Sequence, residues 1–165
     1  MEFLLSHIEG IVTGASILVA TVTAFFQSQR LKRMKQEEFT LQTLSFLITA
    51  EGLRQAFIRV NRDSFRGEDP LLAIDDEDIF AAYSTLLDFY TDLAISVKNG
   101  LLVEEIVLNN MGSAMLRHFD YLAPYIQEMR TRYDFPRYVG TYEEFVENRL
   151  RRVKKRFSQG PRVKK

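Results

Sequence analysis

The chain has 165 residues, 22 basic and 22 acidic side chains, 13 Phe, 7 Tyr and no Cys, enough for one domain of ordinary size with appendages and too little for two full ones. The missing cysteine excludes disulfides and thiolate metal sites, and the aromatic content excludes disorder throughout. The zero net charge hides a partition: 4 basic residues fall in 30–35 and 9 in 149–165, whereas 36–148 holds 20 of the acids against 9 cations, an acidic body between two basic segments.

Residues 10–26, GIVTGASILVATVTAFF, carry no formal charge, and Arg30, Lys32, Arg33 and Lys35 follow closely. A cleaved export signal has its cations before the apolar run, but here Glu2 and Glu9 precede it, so that reading fails. A soluble core helix keeps a polar stripe, and this run offers only Thr and Ser. Its length as a helix is about 26 Å, just under the hydrocarbon thickness, and Phe3, Leu4 and Leu5 can extend it. A transmembrane span is predicted, with a core or interfacial helix as the alternative. The flanking cations place the N-terminus outside and the rest in the cytoplasm of an inner membrane, crossed once.

At about 100° per residue Gly10, Thr13, Gly14, Ala20, Thr21 and Ala24 share one arc of the span, interrupted by Ile17. Small residues let helix backbones approach, and Gly10 and Gly14 form a GxxxG pair, so self-association is expected there. Pore lining by the Thr-bearing face is a weaker alternative.

QSQRLKRMKQEEFTLQTLSFL contains no Gly or Pro, so the spanning helix is expected to continue as a stalk with Leu31, Met34, Leu41 and Leu44 near heptad spacing, broken by Glu38. LRQAFIRVNRDSF reads as a short helix with Leu53, Phe57 and Val60 inward. FRGEDPLLAIDDED has loop chemistry, with Asp75 and Asp76 as caps for the next helix. That helix places Ile79, Tyr83, Leu86, Leu87, Tyr90, Ala94 and Val97 on one face until Asn99 and Gly100 stop it.

Residues 101–121 read as another helix, with Glu104 and Glu105 in its early turns and Val107, Met111, Ala114 and His118 on one stripe. Pro124 predicts a new first turn or a kink before helix resumes to about Tyr133. DFPRYVG breaks the chain. Thr141 and Glu144 match a capping box for a final helix with Tyr142, Phe145, Val146, Leu150, Val153 and Phe157 on one face. Strand alternation never persists, so the fold is expected to be all-α: a spanning helix that runs into a stalk, then a small cytosolic helical bundle. The expected division is 1–29 anchor, 30–48 basic collar and stalk, 49–140 bundle, and 141–165 basic amphipathic helix and tail.

Catalytic signatures are missing: there is no phosphate-binding glycine loop, no HExxH and no GxSxG, and the two histidines are His7 and His118. His7 falls beside the span. His118, on an apolar stripe, reads as a hydrogen-bonded core histidine rather than a general base. The acids Glu68, Asp69, Asp75, Asp76, Glu77 and Asp78 miss calcium-loop spacing and suit a helix N-terminus. Asp88, Asp92, Glu104 and Glu105 are better explained as solvent-facing than as a cation site. No catalytic residue, metal or cofactor is expected.

The basic tail is the strongest functional hint. Arg149, Arg151, Arg152, Lys154, Lys155 and Arg156, with the collar cations, suit an anionic membrane surface held close by the anchor. Nucleic acid, for which no base-reading motif is present, and the acidic body itself are the competing partners. The resulting expectation is a non-enzymatic, membrane-anchored interaction or scaffold module, homo-oligomeric, with an unidentified protein partner. The alternatives are an effector or enzyme-like component of a bacterial stress or defence system, and a nucleic-acid-binding module.

From Leu86 onward the sequence reads LLDFYTDLAISVKNGLLVEEIV, then Arg117, then LAPYIQEMR. This arrangement resembles the domain-of-unknown-function 4760 family of bacteria and archaea over roughly residues 5–135, with matches at Asp88, Phe89, Gly100, Glu105, Arg117, Pro124 and Tyr125. The resemblance implies an N-terminal span and a helical cytosolic domain, and it supplies no activity. The chain departs from the family pattern in lacking Trp before Pro124 and in its basic tail.

Overall fold

The computed structural model describes the backbone of residues 2–152 and the side chains of 22–46 and 49–152. Among the described residues the chain is all-α, without a strand. It divides between Glu38 and Phe39 into two compact units.

Helix α1 runs Glu2–Thr49 without a break, as expected for a stretch in which no proline removes a backbone donor. Of its described side chains only Thr40 and Leu44 are buried. Of the expected stalk stripe Leu44 is buried, whereas Leu31, Met34 and Leu41 are exposed, as are Phe39 and Phe46. Among the described residues no helix is long and apolar enough to cross a membrane. The side chains of the expected span up to residue 21, His7 included, lie outside the described residues.

Helix α2, Glu51–Arg66, turns Leu53, Ala56, Val60 and Asp63 inward. It ends at Gly67, whose φ of 66° is left-handed. The N–H groups of Gly67 and Glu68 return to the Ser64 and Asp63 carbonyls, a Schellman closure that an L side chain would strain. The stretch expected as a loop contains a 3₁₀ turn, Pro70–Ile74, started by the Asp69 carboxylate, which accepts from Leu71 N at 3.0 Å. Pro70 sits where its missing N–H costs nothing.

Helix α3, Glu77–Lys98, is the centre of the bundle and packs on α2, the 3₁₀ turn and the later helices. Asp76 caps it, accepting from Ile79 N at 3.0 Å. Tyr83, Leu86, Leu87, Tyr90, Leu93 and Ala94 have almost no exposure, the result of apolar residues recurring at three- and four-residue steps. Helix α4, Glu104–Arg132, follows the left-handed Gly100 turn. It begins three residues later than expected, where Val103 N donates to Thr40 Oγ1 at 3.0 Å and ties the end of α1 to the bundle.

Pro124 does not start a new helix: it lies inside α4. The carbonyl that loses its donor belongs to Asp120, which is exposed, while Leu122, Tyr125 and Ile126 on the buried side hold the helix together. The predicted capping box also fails. Helix α5 spans Gly140–Phe145, with Val139 at the cap position in left-handed geometry and no side-chain cap, so Thr141 falls inside the helix. The turn is fixed instead by Arg130, which donates to the Tyr138 carbonyl at 3.0 Å and to Glu143 at 2.6 Å.

After α5 the chain continues as a π-helical segment, Val146–Leu150. Tyr142, Phe145, Val146 and Leu150 enter the same core as α3 and α4. Val153 and Phe157, expected on the same face, lie outside the described residues. A methyl group on Gly112 of α4 would come within 2.9 Å of Leu150 Cδ2, so a small residue there leaves room for the Leu150 side chain against α4.

Candidate functional site

The ends of α3 and α5, the start of α4 and the π-helical segment enclose a groove of about 450 Å³. Its apolar floor is Ala94, Val97 and Phe145. Two ion pairs flank it, Lys98 Nζ to Glu144 at 3.1 Å and Arg149 Nε to Glu104 at 3.5 Å. Lys98 at the end of α3 and Glu104 at the start of α4 each complement the local helix dipole. Lys98, Glu144 and Arg149 are largely exposed and Glu104 is half-buried, so the pairs contribute little to stability. The π-helical turn supplies Asn148 and Arg149 to the wall, and such turns recur at functional sites. This groove joins an apolar floor to charged walls, an arrangement suited to an amphipathic ligand.

Inside the bundle a polar seam joins α2, α3 and α4. His118 is fully buried; its Nδ1 is 2.9 Å from the Tyr90 hydroxyl and its Nε2 is 3.0 Å from Asn61 Oδ1. Asn61 Nδ2 donates to the Phe57 carbonyl, which leaves Oδ1 as acceptor for His118 and for Arg117. His118 therefore carries its proton on Nε2 and accepts from Tyr90 at Nδ1. Burial, and secondarily Arg117, pushes its pKa down to about 4. It is the hydrogen-bonded core histidine expected from the sequence, and burial keeps it neutral.

The second part of the seam centres on Asp63, also fully buried. Its carboxylate accepts from Arg59 Nε at 2.6 Å, Arg62 Nε at 3.1 Å and the Tyr83 hydroxyl at 3.2 Å, and Tyr83 meets Tyr121 at 2.9 Å. Burial raises the Tyr83 phenol far above its ordinary range. It stays a neutral donor.

The structure distributes the expected site residues unevenly. Arg30, Lys32, Arg33 and Lys35 are exposed on α1, with Arg33 3.0 Å from Glu37. Arg149 meets Glu104, and Arg151 meets Asp120 at 2.8 Å and Glu147 at 2.9 Å. Arg152 donates to Asn148. The start of the basic segment thus faces acids of the body. Lys154, Lys155 and Arg156 lie outside the described residues, as do the side chains of Gly10, Thr13, Gly14, Ala20 and Thr21; Ala24 is exposed on α1.

Asp88 is raised by partial burial and by Asp92, whereas Glu104 turns to Arg149. Among the described residues no group of His, Asp and Glu is arranged to hold a metal. Sequence reasoning missed Asp63 and Asn61. The available signal was an acid following Leu53, Ala56 and Val60 on an apolar face, with Arg59 one turn before it.

The described residues define a class: a small all-α domain of packed helices. The family model described as Domain of unknown function (DUF4760) matches residues 11–149, and the chain belongs to that family. No curated protein and no solved structure matches it. Of the residues that carried the resemblance, Gly100 makes the left-handed turn, Tyr125 is buried and meets Ser84 at 3.2 Å, and Arg117 bonds Asn61 and stacks over Phe65 at 4.8 Å.

Proposed function

We propose that this protein is a non-enzymatic module, tethered to the membrane by residues 10–26, self-associating through that segment, and recruiting or sensing a partner at the cytoplasmic face. The observation that carries this reading is α1. It is helical over Glu2–Thr49, yet among its described side chains only Thr40 and Leu44 are buried, and a helix of that length with so little packing calls for a second environment along it. The uncharged run followed by Arg30, Lys32, Arg33 and Lys35 makes lipid the environment that fits, with Gly10 and Gly14 as the contact between copies.

For the basic segment, the pairing of Arg149 with Glu104 and of Arg151 with Asp120 favours a second reading beside membrane docking, in which these cations lie on the acidic body itself. Neither the effector or enzyme alternative nor nucleic-acid binding draws on a geometric observation among the described residues.

High-speed centrifugation of lysed cells tests the anchor: the full-length chain is expected in the pellet and released by detergent, and recovery in the supernatant without detergent overturns the reading. Crosslinking in native membranes tests association. Gly10→Ile and Gly14→Ile are expected to reduce the oligomer, and unchanged crosslinks remove self-association through this face.

A further inference from the structure

We infer that a second groove, between α2 and α3, binds a phosphate monoester through Arg59 and Arg62. The groove has a volume of about 460 Å³ and a floor of Gly52, Ala56, Ala81 and Ala82, with both arginines on its wall. Small side chains at all four floor positions leave space between two packed helices where larger ones would have filled it.

The arginines are held in an unusual way. Each donates its Nε to one oxygen of Asp63, at 2.6 Å for Arg59 and 3.1 Å for Arg62, and Asp63 is fully buried and fixed also by Tyr83. Among the described residues the Nη atoms of both guanidinium groups make no hydrogen bond. One arginine neutralises the carboxylate, so the second leaves a positive charge the core does not require. Arg62 is 45% exposed. Two guanidinium groups with fixed stems and spare donors at one groove are a preorganised oxyanion site, because the side-chain entropy of ordering them is already spent in folding.

Phosphate suits this pair better than carboxylate does. A carboxylate has two oxygens and is satisfied by one guanidinium fork, whereas a phosphate monoester offers three terminal oxygens and up to two charges, enough for both forks. Thr85 and Gln55 on the groove wall add neutral hydrogen-bonding groups for the esterified part. Two other carboxylates face this region. Asp76 caps α3 and also acts on Arg59 as a nearby negative charge, so it too opposes an anion. Asp78 lines the groove, is exposed, and forms no ion pair with either arginine, so it opposes an anion only through solvent-screened repulsion. That opposition gives the proposal an additional signature.

Soluble esters and the monoester headgroup of phosphatidic acid share this chemistry, and the soluble case is independent of the membrane reading. The test follows the arginine Nε–H resonances of the full-length chain, in zwitterionic micelles titrated with methyl phosphate and in phosphatidylcholine nanodiscs with and without phosphatidic acid. Saturable shifts at Arg59 and Arg62 are expected. Arg62→Gln should weaken binding at least tenfold, Asp78→Asn should tighten it severalfold, and Arg132→Gln, on the exposed end of α4, should leave it unchanged. Where Arg62→Gln alters helix content, Arg62→Lys keeps the charge without the fork and is expected to weaken binding as well. Saturation by methyl phosphate supports a soluble ester, and saturation only with phosphatidic acid supports the headgroup. Linear shifts in both media, or equal affinity in wild type and Arg62→Lys, overturn the proposal.

Discussion

The Tyr90 hydroxyl lies 2.9 Å from His118 Nδ1 and donates to it, because Asn61 Oδ1 on the other side of the ring accepts from Nε2. A proton added to Nδ1 would turn the Tyr90 hydroxyl from donor to acceptor and leave a cation beside Arg117.

This arrangement fixes a pH dependence. The ordinary histidine pKa of 6.5 falls to about 4 in the fold, so between those values the unfolded chain binds the proton and the folded one does not. Stability from this group falls as pH drops from 6.5 toward 4 and then levels, a loss on the order of 3 kcal/mol. Thermal unfolding of the full chain in detergent should show it, and the His118→Gln variant should lack that part of the slope. Imidazole nitrogen spectra should show the Nε2–H tautomer at pH 7 and little protonation at pH 5.

Gly112 and Leu150 make the close crossing of α4 by the π-helical segment. Gly112→Val inserts side-chain carbons where Leu150 already packs and is expected to destabilise by about 1–3 kcal/mol. Gly112→Ala requires only the Leu150 terminus to shift and gains up to about 1 kcal/mol of helix propensity, so it should be close to neutral. Pairing Gly112→Val with Leu150→Ala should recover part of the loss in chemical denaturation, and strict additivity would refute the contact as its cause.

Asp63 holds α2 against α3 through Tyr83 and gathers two arginines. Asp63→Ala leaves the Tyr83 hydroxyl with Tyr121 alone, but both arginines reach water. The expected cost is about 2 kcal/mol, below the ~3–5 kcal/mol of a fully enclosed pair. Tyr83→Phe should cost about 1 kcal/mol. Urea midpoints at pH 7 check both values.

Arg130 is largely buried and ties the Tyr138 carbonyl and the Glu143 carboxylate to α4. Arg130→Ala should cost about 2 kcal/mol. It should also raise amide exchange selectively across 134–143, and a uniform rise would show that the turn does not depend on this side chain.

Much of the bundle was legible because helical periodicity is a local signal. Ile79 through Ala94 announced the buried face of α3, Asp76 its cap, and Asn99 with Gly100 its end. Thr141 and Glu144 misled because a capping box names residue types only, and Arg130 from the preceding helix already held the turn. At Pro124 the helix continues to Arg132 without a new first turn, because the cost of the missing donor depends on which face of α4 the proline occupies, and that position is exposed.

By itself the sequence determined the all-α class, the buried face of α3, the placing of His118 on an apolar stripe and the charge partition, since each follows from residue types at neighbouring positions. Only the tertiary structure decided which polar side chains meet. Asp63 with Tyr83, Asn61 with His118, Arg151 with Asp120 and the two grooves depend on helices far apart in sequence packing at one set of crossings. No periodicity encodes those crossings, because they are chosen by how the buried side chains of all the helices fill a common volume.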